Sequence, residues 1–418
     1  MLTKAEVELL LVSARQCLPD ELSHRLGEIV NSPLRWAYVI EEASRHGIGP
    51  MLFHHLESLP QRITIPTDEM HSLRQAYVRS AFRNRVHEEA IAGLLARFDK
   101  AGIKVVVLKG AGLVRTVYHD SALRPFADID LLCEEHQVDQ ARELFLDTGY
   151  VIAPELLSEQ FNRRYHTNLP FVRVEPVPVH VEFHWKLMDR FSRYSFDEAE
   201  LLGRARPAPS GKSVGSVLEP EDDIVYLAAH LHNHGYLNAV AAQQTDPRLF
   251  VLDRLSANRL IWFTDLHELI GAGLNWSKVL DRAGAAKALG PLSVSLRLLM
   301  MLLGTQFDAA VLGELQLPSI AWPKRMLARY VFSLTDTENG SARRRRFEEQ
   351  LLSTRRGFEL RWIRLFDIWE YLFGNREGAK KSRPHLGQVV CALFRLVSML
   401  VNFVYYRLFR LFGARCIR

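Results

Sequence analysis

The sequence predicts an α+β fold in which a small mixed sheet, with helices of its own, is set between helical regions. Three observations predict it. Apolar residues recur at helical spacing through residues 3 to about 100. Between residues 100 and 190 the texture changes to short runs rich in β-branched residues, IKVVVLKG, DIDLLCE and VEPVPVHVEFHWKL. Helical spacing then returns from about Glu219 to Gly304. The expected organisation is a helical N-terminal region over 1–98, an α/β unit over 99–205, a helical domain over 217–330 and a basic helical tail over 331–418.

Taken in order, Thr3 followed three residues later by Glu6 has the form of a capping box ahead of AEVELLLVSARQCL. Ser32–Arg45 fits a second helix with Pro33 just inside its start. A third runs from about His71 to a stop at Gly102. IKVVVLKG reads as a buried strand, AGLVRTVYHD as a helix, and SALRPFA as a loop broken by Pro125. DIDLLCE is the second strand, and EHQVDQARELFLDTGY is a helix with Gly149 placed as its C-cap. After a polar stretch, alternation in VEPVPVHVEFHWKL argues a third strand. The Pro/Gly/Ser-rich piece Arg206–Ser216 is the best linker candidate before the helical EPEDDIVYLAAHLHNHGY and RLIWFTDLHELIGAGLNWSKVLDRAGAAKALG.

Composition narrows the class. Nearly half of the residues are apolar and about a quarter charged, as in soluble proteins. Cys17, Cys133, Cys391 and Cys416 have no metal-ligand spacing, which argues against a zinc ribbon or a disulfide framework and for a reducing, cytoplasmic setting. The first residues carry charges inside their apolar stretch, unlike a secretory signal. Charge is uneven: residues 341–418 hold 17 Lys/Arg and 6 Asp/Glu, a net of +11, which leaves 36 against 42 and a net of −6 for residues 1–340.

The chemistry gathers around Asp128 and Asp130. On a strand, alternation puts both carboxylates on one face while Ile129 points to the other. Carboxylates that close repel unless a cation lies between them, and hard divalent ions such as Mg²⁺ or Mn²⁺ take such ligands together with substrate phosphates. Glu182 lies between Val181 and Phe183 on another strand. Three carboxylates from adjacent strands suit a two-metal displacement at phosphorus. Lys109 and Gly110 end the first strand, where backbone N–H groups and a lysine can meet phosphate oxygens. Arg124 is a further candidate, for binding phosphate or for positioning an aspartate.

The ordered series LKGAGL, TVYHD, LRPFADIDLL, LFLDTGY and VEFHW resembles the uncharacterised nucleotidyltransferase branch of the DNA-polymerase-β superfamily. DDIVYLAAHLHNHGY, FTDLHELI and NWSKVLDRA resemble that branch's helical half, so the resemblance covers roughly residues 95–300. It implies a polymerase-β-like core over 99–205, with 217–330 completing the cleft. It also implies Asp128, Asp130 and Glu182 as catalytic metal ligands for Mg²⁺ or Mn²⁺, and Lys109-Gly110 at the phosphate-binding turn. Where the superfamily's turn carries a serine this chain has Ala111, which leaves the phosphate role to Lys109. The implied reaction moves a nucleoside monophosphate from an NTP, ATP among them, to a hydroxyl or phosphate on a small-molecule, peptide or protein acceptor, with release of pyrophosphate.

Other readings compete locally. His180, Glu182 and His184 alternate on one strand face, a zinc-like set, although His184 is better read as orienting Glu182 or touching substrate. His230 and His234 share a helix face while His232 points away; satisfied, partly buried histidines are the plainer reading. Asp265 and Trp276 read as cap or packing residues, and Trp185 as core. In the tail the longest charge-free run, Leu396–Tyr406, is too short for a span of about 20 residues. An in-plane helix over 386–412 at the inner membrane face, or docked on protein, fits its flanking Lys and Arg residues. A non-catalytic adaptor acting through this tail is therefore the alternative to an enzyme. Arg343–Arg346 come with no stacking module or recognition helix, so nucleic acid is not an expected partner.

Overall fold

The computed structural model describes residues 2–59, 65–153, 159, 163, 167–188, 192, 194–208, 215–234 and 259–315. The tail 331–418, with the expected helix over 386–412, lies outside these residues, as does the side chain of His234. Residues 1–151, 170–188 and 194–318 form one compact unit. A second grouping takes in 152–169, 189–193 and 319–418, and within it Arg163 pairs with Glu159 one helical turn away at 2.9 Å.

The chain opens with α1 (Lys4–Ser13), α2 (Asp20–Val30), α3 (Trp36–Arg45), α4 (Gly49–Glu57) and the 34-residue α5 (Thr67–Lys100). The expected capping box forms: Glu6 N–H donates to Thr3 Oγ1 while Thr3 N–H donates to Glu6 Oε2. The second predicted helix starts four residues later than its pattern suggests, at Trp36. The N–H and guanidinium of Arg35 are drawn instead to the buried Glu6 carboxylate, which holds Arg35 outside helical geometry. Helix α5 begins earlier than read, at Thr67, behind Pro66, and ends before Gly102 at φ 72°.

Next come β1 (Val106–Leu108), α6 (Lys109–Thr116), β2 (Asp128–Leu132), α7 (Val138–Asp147), β3 (Val151–Ile152), β4 (Asn168–Arg173) and β5 (Val179–His184). They are followed by α8 (Glu198–Arg204), β6 (Arg206–Pro207), β7 (Ser216–Val217), α9 (Pro220–His234), α10 (Leu260–Gly271), α11 (Trp276–Ala285), α12 (Leu289–Leu303) and α13 (Ala309–Glu314). The strands make one mixed sheet in the order β3-β4-β5-β2-β1-β7-β6. The expected linker is thus built into the sheet at both ends: Ser216 and Val217 run parallel to β1, and Arg206 and Pro207 pair with them. Among the described residues, no helix is long and apolar enough to cross a membrane.

Two layers follow from the alternation of β2 and β5. Ile129, Leu131, Val181 and Phe183 are buried on one face. There Phe183 stacks on Phe98 of α5 at 5.6 Å and meets Phe145 of α7 edge-on at 5.2 Å, while Phe145 stacks on Phe171 at 4.1 Å. Aromatic pairs of this kind contribute about 0.5–1.5 kcal/mol beyond their burial. The opposite face carries Asp128, Asp130 and Glu182.

Helices α1–α4 share one continuous apolar core with α9–α12. Polar contacts lock the same surfaces: Gln16 Nε2 donates to Glu268 Oε2 and to the Val117 carbonyl, and Thr264 Oγ1 donates to the Ala14 carbonyl.

Candidate active site

Strands β2 and β5 run parallel, in a register that sets Asp128 beside His180, Asp130 beside Glu182, and Leu132 beside His184. Strand β1, antiparallel on the other side of β2, ends with Leu108 opposite Asp130, so the next residue, Lys109, emerges beside that carboxylate. Its Nζ donates to Asp130 Oδ1 at 2.7 Å. Lys109 has φ 48°, in the left-handed region that favours glycine, and it starts α6 directly from the strand. Backbone strain of this kind persists where the surroundings over-determine it, and active sites are a common location.

His184 Nε2 lies 2.9 Å from the same Asp130 Oδ1 and 3.4 Å from Glu182 Oε2. Its Nδ1 is buried and has no hydrogen-bond partner among the described residues. One ligand atom each from Asp130, Glu182 and His184 lie within 4.8 Å of one another, a donor set that fits a divalent ion.

The charges balance locally. Burial disfavours the Lys109 ammonium, but the charge of Asp130 outweighs it and lifts Lys109 above the ordinary lysine range. Burial likewise works against ionised Asp130, and Lys109 and His184 together hold it well below the usual carboxylate range. Glu182 is lowered against its own burial by the His184 hydrogen bond, and His184 is raised against burial by Asp130 and Glu182. Asp128 differs. It sits at the open end of β2, and desolvation of its carboxyl, then the charges of Asp130 and Glu182, push it up to about 6.

The loop before Asp128 is pinned from three sides. Asn84 of α5 donates to the carbonyls of Ser121 at 2.6 Å and Arg124 at 2.9 Å. Tyr77 donates to Asp120 Oδ2 at 2.7 Å. Arg124, expected at phosphate or beside an aspartate, is engaged with Asp265 of α10 through Nε at 2.9 Å and Nη2 at 2.6 Å, and its Nη1 donates to the Pro125 carbonyl. Gly110 is small for the same reason: a Cβ there would lie 2.9 Å from Phe126 Cβ and 3.0 Å from Arg124 Nη1. At Gly112 a Cβ would meet the Val107 carbonyl at 2.8 Å. Both glycines are thus required by the packing of α6 on the strand and loop beside it.

A family model for uncharacterised nucleotidyltransferases matches residues 32–304, about two thirds of the chain. The chain belongs to that family. No curated protein matches it. Membership supports a transferase, and nucleotidyltransferases generally use divalent metals.

Of the residues expected at the nucleotidyltransferase site, Lys109, Asp130, Glu182 and His184 are in direct contact through their side chains, and Asp128 shares their sheet face. Gly110 and Arg124 lie just behind them, against each other. Sequence reasoning passed over Tyr226 of α9, a buried phenol raised by burial and close enough to feel Lys109, Asp130 and Glu182. It also passed over Asp265 as the aspartate that Arg124 engages, and over Tyr118, which donates to Asp265 Oδ1 at 2.8 Å. Their one signal was polar residues inside otherwise apolar helical runs. His232 is buried with its Nδ1 2.8 Å from the Tyr194 hydroxyl, a satisfied core histidine, and His230 packs between Tyr226 and Trp262.

Proposed function

We propose that the chain is a metal-dependent nucleotidyltransferase with a polymerase-β-like core. It transfers a nucleoside monophosphate from an NTP to a hydroxyl or phosphate on a small-molecule, peptide or protein acceptor in the cytoplasm. The observation that carries the reading is the parallel register of Asp130 with Glu182, with Asp128 on the same sheet face. Divalent ions held by these carboxylates would neutralise phosphate charge and line up the reacting oxygens.

The chain's own groups do the rest. Lys109, one residue beyond the strand end, is the ammonium available to a phosphate oxygen once Asp130 is balanced otherwise. Glu182 orients the acceptor group and takes its proton as the acceptor oxygen bonds to the α-phosphorus; the bond to the departing pyrophosphate breaks in the same displacement. Before an ion binds, His184 holds Glu182 and Asp130 in place. Arg124, engaged by Asp265, positions the loop that presents Asp128. Alignment and electrostatic neutralisation supply most of the acceleration in reactions of this kind.

Incubation with each labelled NTP, Mg²⁺ or Mn²⁺ and cell extract, followed by mass analysis, tests this. A labelled acceptor is expected with the native chain and none with the Asp128→Asn/Asp130→Asn variant. Labelling that survives in the double variant overturns the assignment.

A further inference from the structure

Resting on the reading above, we propose that Asp130, Glu182 and His184 form a resident metal site that takes a first-row transition ion of the Mn²⁺ class in preference to Mg²⁺, with His184 Nε2 as a ligand. Three features carry it. The first is spacing. Adjacent ligands about 2.1 Å from a common ion lie about 3.0–3.4 Å apart in octahedral or tetrahedral arrangements. The two donor separations at His184 are 2.9 Å to Asp130 Oδ1 and 3.4 Å to Glu182 Oε2. The second is construction. Asp130 and His184 are 3% and 5% exposed while the Glu182 side chain is 38% exposed, so an ion there would rest on two buried donors and keep one side open. Asp128, at the exposed end of its strand, is not one of the three.

The third is donor chemistry. Mg²⁺ takes hard oxygen ligands and gives up its waters reluctantly, which suits a site of carboxylates and substrate phosphates. An imidazole nitrogen in the set shifts preference toward transition ions, whose affinity for nitrogen-containing sites exceeds that of Mg²⁺. Nε2 is the nitrogen turned toward both carboxylates, and Nδ1 has no hydrogen-bond partner among the described residues, so the ring is held from its Nε2 side.

The test is Mn²⁺ titration of the full chain without nucleotide, with bound ion counted by electron paramagnetic resonance and its ligands read by pulsed detection of ¹⁴N coupling. One Mn²⁺ per chain is expected, with a ¹⁴N signal and an affinity at least about tenfold above that for Mg²⁺ in competition. His184→Asn should abolish the ¹⁴N signal and weaken Mn²⁺ binding by about tenfold or more. Mn²⁺ bound without ¹⁴N coupling, or no Mn²⁺ bound before nucleotide, overturns the proposal. If His184→Asn fails to fold, the ¹⁴N signal of the native chain decides alone. Binding of a non-hydrolysable triphosphate with Mg²⁺, followed by calorimetry, separates the two readings. A ¹⁴N-coupled ion in a chain that binds no triphosphate leaves the metal site standing and removes nucleotide transfer. Triphosphate binding without ¹⁴N coupling does the reverse.

Discussion

Arg124 and Asp265 stand 141 residues apart in the chain and meet as a buried two-pronged ion pair, Nε to Oδ1 at 2.9 Å and Nη2 to Oδ2 at 2.6 Å. The pair joins a helix of the middle region to the loop that delivers Asp128, and the Tyr118 hydroxyl closes the network on the same Oδ1.

Removing one partner leaves the other charge buried and uncompensated, which costs about 3–5 kcal/mol. Asp265→Ala should therefore lower unfolding stability by roughly that amount in urea titrations. The double variant Arg124→Met/Asp265→Leu should recover a good part of the loss, because no isolated charge is left. A double variant as unstable as the sum of its single variants would show that the pair is not the source of the loss.

Asp223 gives a pH prediction. It is buried on α9, and its Oδ1 lacks a hydrogen-bond partner among the described residues. Burial, then the neighbouring charges of Asp265 and Asp222, push its carboxyl up to about 7, from 3.8 for a free side chain. A folded-state value above the unfolded one means that the protonated form is favoured by folding. Its contribution to stability is complete below the ordinary carboxylate value and is lost as pH rises through about 7. Asp223→Asn should raise the melting temperature over the native chain at pH 8, and the advantage should shrink or reverse at pH 4.5. Thermal melts of both chains across that range check it.

Lys109→Met tests the ammonium at the strand end. Nucleotide affinity should fall by roughly 10–100-fold, about 1.4–2.8 kcal/mol. Divalent-ion affinity of the nucleotide-free protein should rise, because the same Asp130 oxygen no longer shares a fixed positive charge. Calorimetric titrations with a non-hydrolysable triphosphate and with Mn²⁺ alone read the two effects, which have opposite signs.

Glycine substitutions separate packing from chain entropy. Gly110→Ala drives a methyl against Phe126 and Arg124, and a cost of about 1–3 kcal/mol is expected. Gly93→Ala, on the exposed side of α5 with nothing within 4 Å of the added carbon, should stabilise by about 0.5–1 kcal/mol. Denaturant midpoints of the two variants should move in opposite directions.

Asp128, Asp130 and Glu182 could be read as one constellation because alternation on a strand is a local property: each carboxylate sits between apolar neighbours that fix its face. The register that puts Asp130 beside Glu182 could not, since it is decided between segments 52 residues apart with no turn to set it. Nor could β6 and β7, which at two residues each are too short for any period and earn their place only by pairing with β1 or with each other. Arg124 reads from sequence as a ligand for phosphate or as a holder of an aspartate, because an arginine near an Asp-x-Asp invites both. Its actual partner lies in a helix whose run FTDLHELI reads as packing. The shift of α3 to Trp36 has the same origin, a distant carboxylate outcompeting local helix preference at Arg35.

Arg15, near the start of the chain, donates to the carbonyl of Leu303 at 3.0 Å, a closure across 288 residues, and it lies beside the shared core of α1–α4 and α9–α12. On the ribosome, the part of those first helices that α12 will cover must wait until some three hundred residues have emerged, although α1–α4 can already pack on one another and on α5. At about 5–20 residues per second that interval lasts tens of seconds. Such a nascent chain is an obvious client for chaperones that shield apolar helices, and the first four helices expressed alone should precipitate.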